Sequence, residues 1–371
     1  MKKHILFTMQ SLGMGGVSSV ILNYYNEMAD DIIADFAVTA KAESVPCDVL
    51  RLISEHGGRV YYLPHFAGIN MLRYFIMLSS IIKKGNYDVI HDNDKYFGFL
   101  SLIPAKWYHV PTRIAHVHNC VAAKEKPFFH RLFIRITACL TRHFSTDRLA
   151  CSVEAGQSMF PNDDFKVLNN SIDPEKYKFS NDLRICFRNE YGIDCSEKVI
   201  MTVARNDSLK RYDFAFKVFD ELVKLRDNYR YVIVGMNESD LSERDNLSYL
   251  GISEKSRSKV MFLGRCFNAN QLLSMADAFL LTSEHEGFGI SIIEAQANDL
   301  LCFISDAIPT STKVSELVHF LPCLHSQDTW ASVMDKELTD YNRTEVGFEA
   351  IRESTFSIER CKQQLLDLYN K

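Results

Sequence analysis

Short apolar runs alternate with longer amphipathic runs along nearly the whole chain. Ile5–Met9, Ile33–Thr39, Arg59–Leu63, Asp88–His91, Arg113–Val117, Arg148–Ser152 and Lys166–Leu168 read as strands. Between them, Val17–Ala29, Met71–Ile82, Phe97–Lys106 and Pro127–Arg142 read as helices; Val17, Val20, Ile21 and Tyr24 share one face of the first. The pattern then restarts. Lys198–Ala204, Tyr231–Val234, Lys259–Leu263, Ala278–Leu281 and Leu301–Ile304 are strand-like, with helices over Phe214–Leu225 and Ile290–Ala297 and a last one over Ser357–Tyr369. Such alternation predicts an α/β protein with parallel sheets covered by helices on both faces. Two blocks predict two doubly wound domains, with ligand sites at the carboxyl ends of the strands. The polar stretch near 173–185 is the expected boundary: 1–173 on one side, 174–354 on the other. No internal repeat or low-complexity tract interrupts the pattern.

Composition narrows the class. Of the 371 residues, 47% are hydrophobic and 24% charged, which sets aside disorder, and the length fits about two domains. The net charge of −5 argues against a nucleic-acid binder. Charge is nevertheless uneven: residues 95–148 hold nine Lys/Arg against Glu125 and Asp147. Ten cysteines without a CxxC pair predict reduced thiols and a cytoplasmic setting. The start, Met1 to Gln10, reads as a first buried strand rather than a signal peptide, because its apolar stretch is short and no small-residue cleavage site follows. No run of about 18 apolar residues is present, so no transmembrane helix is expected.

Several clusters can carry chemistry. Glu286-Gly287-Phe288-Gly289 falls between a strand and a helix that carries Glu294. Glycines there permit a tight turn, and the helix start offers N–H groups to an anion; a capping acid and a solvated acid are the plainer reading. Arg205, after strand 198–204, and Lys210, before the next helix, can clamp a diphosphate or be two surface charges. Gly13-Met14-Gly15-Gly16 follows the first strand but fails the GxGxxG fingerprint, since Ser18 stands where the third glycine belongs. His116-Val117-His118-Asn119-Cys120 places three ligand-type side chains on one strand face. A metal site would need further ligands that the sequence does not offer, so contact with a sugar or phosphate, or plain burial, is preferred. His91-Asp92-Asn93 sits at another strand end, with the same two readings. Lys124–His143 interleaves Lys124, Lys126, Arg131, Arg135 and Arg142 with Phe128, Phe129, Leu132, Phe133, Ile136 and Leu140. That is the pattern of a helix on an anionic membrane surface, or of a core helix with a basic outer face.

Taken together, Gly15-Gly16, Asn170-Ser171-Ile172-Asp173, Arg205 with Lys210, and the E-x7-E of Glu286 and Glu294 resemble the retaining glycosyltransferases of family four, and most of all those of bacterial capsule and exopolysaccharide synthesis. The resemblance spans nearly the whole chain. It implies a GT-B fold, two Rossmann-like domains facing across a cleft, with the final helix (about 355–371) crossing back to the first, acceptor-side domain. It implies a nucleotide-sugar donor, expected to be a UDP-sugar, a saccharide or polyprenyl-linked saccharide acceptor, and no cofactor or metal. Glu286, Arg205, Lys210 and His118 then take the catalytic positions. Gly15, Gly16, Gly235, Gly264, Arg265, Gly287, Phe288, Gly289 and Glu294 would meet the donor, Glu294 through the ribose hydroxyls. His91, Asp92 and Asn93 are acceptor-side candidates. The expected place is the cytoplasm, with peripheral contact to the inner face of the membrane through 124–143. Four positions depart from the family pattern: Ser171 and Arg211 where glycine is usual, and Asp299 and Leu301 where Gly and Pro are usual. Asp299 and Leu301 leave open a catalytically silent nucleotide-sugar-binding subunit, and the fold itself leaves open a nucleotide-sugar epimerase, which the retained Arg205, Lys210, Glu286 and Glu294 disfavour.

Overall fold

The computed structural model describes residues 2–13, 16–65, 70–118, 128–160, 164–242, 246–266, 268–286 and 288–371. The chain divides into two compact units, Met1–Ile172 with Ile358–Lys371, and Asp173–Ser357.

The first unit runs β1 (Lys3–Met9), α1 (Gly16–Met28), β2 (Ile32–Val38), α2 (Cys47–Glu55), β3 (Val60–Tyr62), α3 (Asn70–Gly85) and β4 (Val89–Asp92). It continues with α4 (Phe99–Trp107), β5 (Thr112–Val117), α5 (Phe128–Phe144), β6 (Asp147–Ala150), α6 (Val153–Met159) and β7 (Lys166–Val167). All seven strands are parallel, in the order β3-β2-β1-β4-β5-β6-β7. A sheet covered on both faces needs strands that are apolar on both, and Ile5, Leu6 and Phe7 are all fully buried. Phe7 stacks on Phe36 at 5.2 Å, and Tyr25 of α1 meets Phe36 edge-on at 5.3 Å. Strand order reverses between β1 and β4, so the ends of these two strands flank a switch point where α/β sheets bind ligands. At the absent third glycine of the fingerprint, buried Ser18 accepts a hydrogen bond from the Gly13 amide at 2.6 Å and so closes the turn from inside.

The second unit runs α7 (Asn181–Glu190), β8 (Lys198–Val203), α8 (Tyr212–Leu225), β9 (Tyr229–Val234), α9 (Glu254–Arg257), β10 (Val260–Phe262) and α10 (Ala269–Leu272). Then follow β11 (Ala278–Leu281), α11 (Ile290–Ala297), β12 (Leu301–Ser305), β13 (Val318–Leu321), α12 (Gln327–Asp340) and α13 (Val346–Glu353). Its six strands are parallel, in the order β10-β9-β8-β11-β12-β13, with the switch point between β8 and β11. Fully buried Trp330 of α12 packs edge-on to Phe214 of α8 at 5.4 Å and donates its indole N–H to the Pro322 carbonyl.

The last helix, α14 (Ile358–Tyr369), belongs to the first unit. Ile358, Cys361, Leu365, Leu368 and Tyr369 join its core, and Lys362 pairs with Asp31 at 2.9 Å. Among the described residues, no helix is long and apolar enough to cross a membrane.

Two of the departures from the family pattern, Asp299 and Arg211, have local explanations. Asp299 is left-handed (φ 59°), the conformation a glycine would adopt freely, and its carboxylate accepts from the amides of Thr344, Glu345 and Gly347 at 2.6, 2.8 and 2.7 Å. The acid thereby anchors the start of α13, which glycine could not do. Arg211 is left-handed too (φ 54°); Asp213 and Glu284 hold its guanidinium at 2.8 and 2.6 Å. Leu301 opens β12 as a buried strand residue, and Ser171 is buried.

Candidate active site

In the second unit, the carboxyl ends of β8 and β11 gather the charged residues singled out in the sequence. Lys210 lies in a short 3-10 turn after β8, and its ammonium binds a Glu286 carboxylate oxygen. That oxygen also accepts from the Ser283 hydroxyl at 2.8 Å. The lysine loop is pinned to the loop after β11 through Thr282, whose hydroxyl donates to the Lys210 carbonyl at 2.9 Å, and through the Glu284 amide, which donates to the Leu209 carbonyl at 2.8 Å. Both partners of the ion pair are mostly shielded from solvent, which strengthens their attraction relative to a surface pair.

Gly289 caps the start of α11 in a left-handed conformation (φ 76°) that favours glycine. Just over one turn into α11, Glu294 is partly buried. Desolvation pushes its carboxyl up to about 7, although the Tyr177 hydroxyl, donating to Oε1 at 3.0 Å, acts the other way. A carboxylate in that state, with one neutral donor, has room for further hydroxyl donors. Tyr177 was not legible as a site residue: it lies in the polar stretch that marks the domain boundary, 117 residues from its partner.

Arg205, Gly235 and Arg265 line one pocket of about 410 Å³, together with Asp207 and Asp240. Arg205 is exposed and has no ion-pair partner among the described residues. Gly235 (φ 115°) is required there, because a Cβ would fall 2.3 Å from the Ala204 carbonyl oxygen. Its amide donates to the Gly264 carbonyl at 2.7 Å, which ties the ends of β9 and β10 together. Phe288 turns out to be a packing residue: its ring is buried, 5.2 Å from Phe356. Gly287 and Gly15 lie outside the described residues, as do 124–127 of the basic segment.

In the first unit, Gly16 opens α1 with free space where a Cβ would stand. The histidine and acceptor-side candidates are placed differently from expectation. His91, Asp92, Asn93 and His118 are all buried in the unit, so their side chains do not form an exposed lining. The physical reason is a closed network of mutual hydrogen bonds. His91 meets the Tyr369 hydroxyl through Nδ1 at 2.7 Å and His116 through Nε2 at 3.1 Å. Asp92 accepts from Thr8 at 2.7 Å and Ser101 at 2.8 Å. His118 has Asn93 Oδ1 2.8 Å from Nε2 and Asn170 Oδ1 3.2 Å from Nδ1. Asn93 donates its Nδ2 to the Thr8 and His91 carbonyls, which turns its Oδ1 toward His118. Burial lowers His118 to about 4 and His91 to about 3, so both rings are neutral at physiological pH. Among the described residues no three His, Cys, Asp or Glu side chains converge as metal ligands.

Known proteins resemble this chain in sequence and fold. Residues 185–342 match the family described as glycosyl transferases group 1. The glycosyltransferase EpsF of Bacillus subtilis (strain 168) is 26% identical over 319 residues, 83% of this chain and 80% of that protein. The Escherichia coli UDP-Gal:alpha-D-GlcNAc-diphosphoundecaprenol alpha-1,3-galactosyltransferase is 24% identical, covering 76% and 75%. The capsular polysaccharide biosynthesis glycosyltransferase CapH of Staphylococcus aureus is 22% identical, covering 82% and 83%. Among solved structures, HepE of Anabaena in complex with UDP and glucose superposes with a TM-score of 0.78 at 18% identity over 99% of both chains. The paired Rossmann-like sheets are therefore those of the GT-B fold, and residues 185–342 are a glycosyl transferases group 1 domain in a chain related to bacterial capsular polysaccharide glycosyltransferases.

Proposed function

We propose that this protein transfers a sugar from a nucleotide-sugar, a UDP-sugar by preference, to a lipid-linked saccharide during surface polysaccharide synthesis, with retention of configuration and without a metal. The observation that carries the reading is the Lys210–Glu286 ion pair joining the loops after β8 and β11 at the switch point, with Arg205 following β8 and Glu294 on α11, the helix that follows β11. The relatives' names support donor and acceptor: one solved neighbour holds UDP and glucose, and one relative acts on a diphosphoundecaprenol-linked sugar.

Breaking a glycosyl–phosphate bond builds negative charge on the departing diphosphate and positive charge on the sugar ring. Lys210, as a point charge, and Arg205, as a planar fork, stabilise the first. In the free protein Lys210 is held by Glu286; an arriving diphosphate competes for that ammonium and leaves the Glu286 carboxylate to favour the cationic ring. Glu294 accepts the ribose hydroxyls beside Tyr177. The departing phosphate itself takes the acceptor's proton on the same face of the sugar, so no protein nucleophile is assigned. His118, neutral and enclosed, supports the end of β5 and is not given a proton-transfer role.

The lipid-linked acceptor fits a membrane-facing surface on the first unit. Helix α4 packs between α3 and α5, with Trp107 edge-on to Phe75 at 5.8 Å. None of the residues in these three helices is acidic, whereas seven are Lys or Arg. Leu72, Ile76, Trp107, Phe128 and Phe129 are exposed on them. Exposed apolar anchors among unopposed cations match an anionic bilayer.

The test is transfer of labelled sugar from UDP-sugars to polyprenyl diphosphate-linked saccharides, comparing the parent with Lys210→Met and Glu286→Gln. Turnover should fall at least a hundredfold in both variants while folding is retained, as expected when preorganised charge stabilisation is removed. Parent-level turnover in the variants would defeat the assignment of roles. Nucleotide binding without transfer to any acceptor would favour the silent-subunit reading.

A further inference from the structure

The second unit has another polar cavity at the opposite end of the same two central strands. It measures about 310 Å³ and lies beside Lys198, the first residue of β8, Asp277, which precedes β11, the opening turn of α7, and residues 341–343 after α12. Three cations line it, Arg184, Lys198 and Arg343, against one carboxylate, Asp277.

That carboxylate is already fully engaged. Its Oδ1 accepts from Arg184 at 2.6 Å; its Oδ2 accepts from Arg188 at 2.6 Å and from the Val199 amide at 2.7 Å. Lys198 and Arg343 have no carboxylate partner among the described residues. Lys198 donates to the Leu338 carbonyl near the end of α12. Arg343 donates to the carbonyls of Ser274 and Ala276 at 3.3 and 2.7 Å and lies over the Phe179 ring, 4.0 Å from its centroid. Carbonyl dipoles offset these charges only in part, and the guanidinium is held with its plane fixed. Desolvation, with the neighbouring Arg184 charge, pulls Arg343 down to about 10, the direction expected of a cation short of counter-charge. Two lining residues, Asn181 in the first turn of α7 and Asn342, are exposed and uncharged.

We propose that this cavity binds a small phosphate-bearing anion, at a site separate from the residues assigned to the donor. Planar guanidinium groups, a lysine point charge and the amino end of α7 together suit phosphate oxygens. The volume sits at the lower end of the range for small-molecule sites, about 300–1,000 Å³, which favours inorganic phosphate, pyrophosphate or a sugar phosphate over a whole nucleotide-sugar. The proposal stands whether or not the transferase reading does.

Calorimetric titration with inorganic pyrophosphate at constant ionic strength tests it, using the full chain, Arg205→Ala, and the double variant Asn181→Glu, Asn342→Glu. The double variant places two carboxylates at the cavity rim and removes no hydrogen bond given by the described residues. Pyrophosphate binding should persist in Arg205→Ala and weaken at least tenfold when Asn181→Glu and Asn342→Glu are added to that variant, while the double variant alone keeps UDP affinity within twofold of the parent. Arg343→Met should show the same loss where it folds. Titration with phosphate and with glucose 1-phosphate then separates the possible sources of the anion. The proposal is overturned if pyrophosphate does not bind Arg205→Ala, or if it binds the variant combining Arg205→Ala with both glutamate substitutions as tightly as Arg205→Ala alone.

Discussion

Glu294 and Asp299 are both carboxylates on or beside α11, yet their surroundings assign them opposite tasks. Glu294 is desolvated and has only the Tyr177 hydroxyl as a side-chain donor, so its carboxyl titrates near 7. The ionised form is the one that accepts ribose hydroxyls. UDP affinity should therefore rise severalfold between pH 6 and pH 8, and Glu294→Gln should flatten that profile; titration calorimetry across the range reads both. The same raised value makes folding less favourable as pH rises through about 7, because the folded state holds the proton more tightly than the unfolded chain. Asp299 is instead saturated by three amides. Replacing it with the family's usual glycine relieves the left-handed backbone but removes those bonds, so Asp299→Gly should cost about 2–3 kcal/mol of stability, the scale of hydrogen bonds to a charged group. An unchanged denaturation midpoint would show that the carboxylate does not anchor α13. Arg205, Lys210, Glu286 and Glu294 were legible because each follows a recognisable strand at short spacing. Tyr177 and the amides that hold Asp299 were not, because those contacts join residues 45 to 117 positions apart. His91, Asp92 and His118 were visible as polar residues at strand ends, but only packing shows that Tyr369, Thr8, Ser101 and Asn93 enclose them.

At the scale of elements, the central strands could be read directly, since both of their faces are apolar. The helices missed in the sequence are the four-residue α9 and α10, too short for a period, and α2, α6, α7, α12 and α13, which bury narrower stripes. Helix α7, for example, buries only Phe187 and Arg188, and the latter is held by Asp277 and backbone carbonyls. Strand β13 is a four-residue edge with a half-exposed centre, too short for a clear period. For α5 the sequence offered a membrane helix or a core helix. The structure supplies α3 and α4 beside it, with the same acid-free composition and more exposed apolar residues, which no window along one helix could reveal. The chain has two tryptophans, Trp107, 60% exposed, and Trp330, fully buried. Vesicles containing phosphatidylglycerol should shift Trp107 emission to the blue, and phosphatidylcholine alone should not. Arg131→Glu with Arg135→Glu should weaken vesicle binding at least tenfold, since each basic residue near an anionic surface contributes about 1 kcal/mol. No shift with either lipid would remove the membrane face from the account.

At the scale of the whole molecule, the chain builds one parallel sheet, then a second, and returns through α14 to complete the first core. Each sheet has its own switch point, and the charged residues we assign to the donor follow β8 and β11 at that of the second unit, within the segment that matches the group 1 glycosyltransferases. The account therefore predicts that nucleotide recognition depends on those residues. The most direct measurement is titration of the protein with UDP, GDP, ADP and CMP, followed by the preferred nucleotide against Lys210→Met and Glu294→Ala. One nucleotide, expected to be UDP, should bind at a single site, with affinity lowered at least tenfold in each folded variant. Failure of the folded parent to bind any of the four, or undiminished binding in both variants, would contradict it.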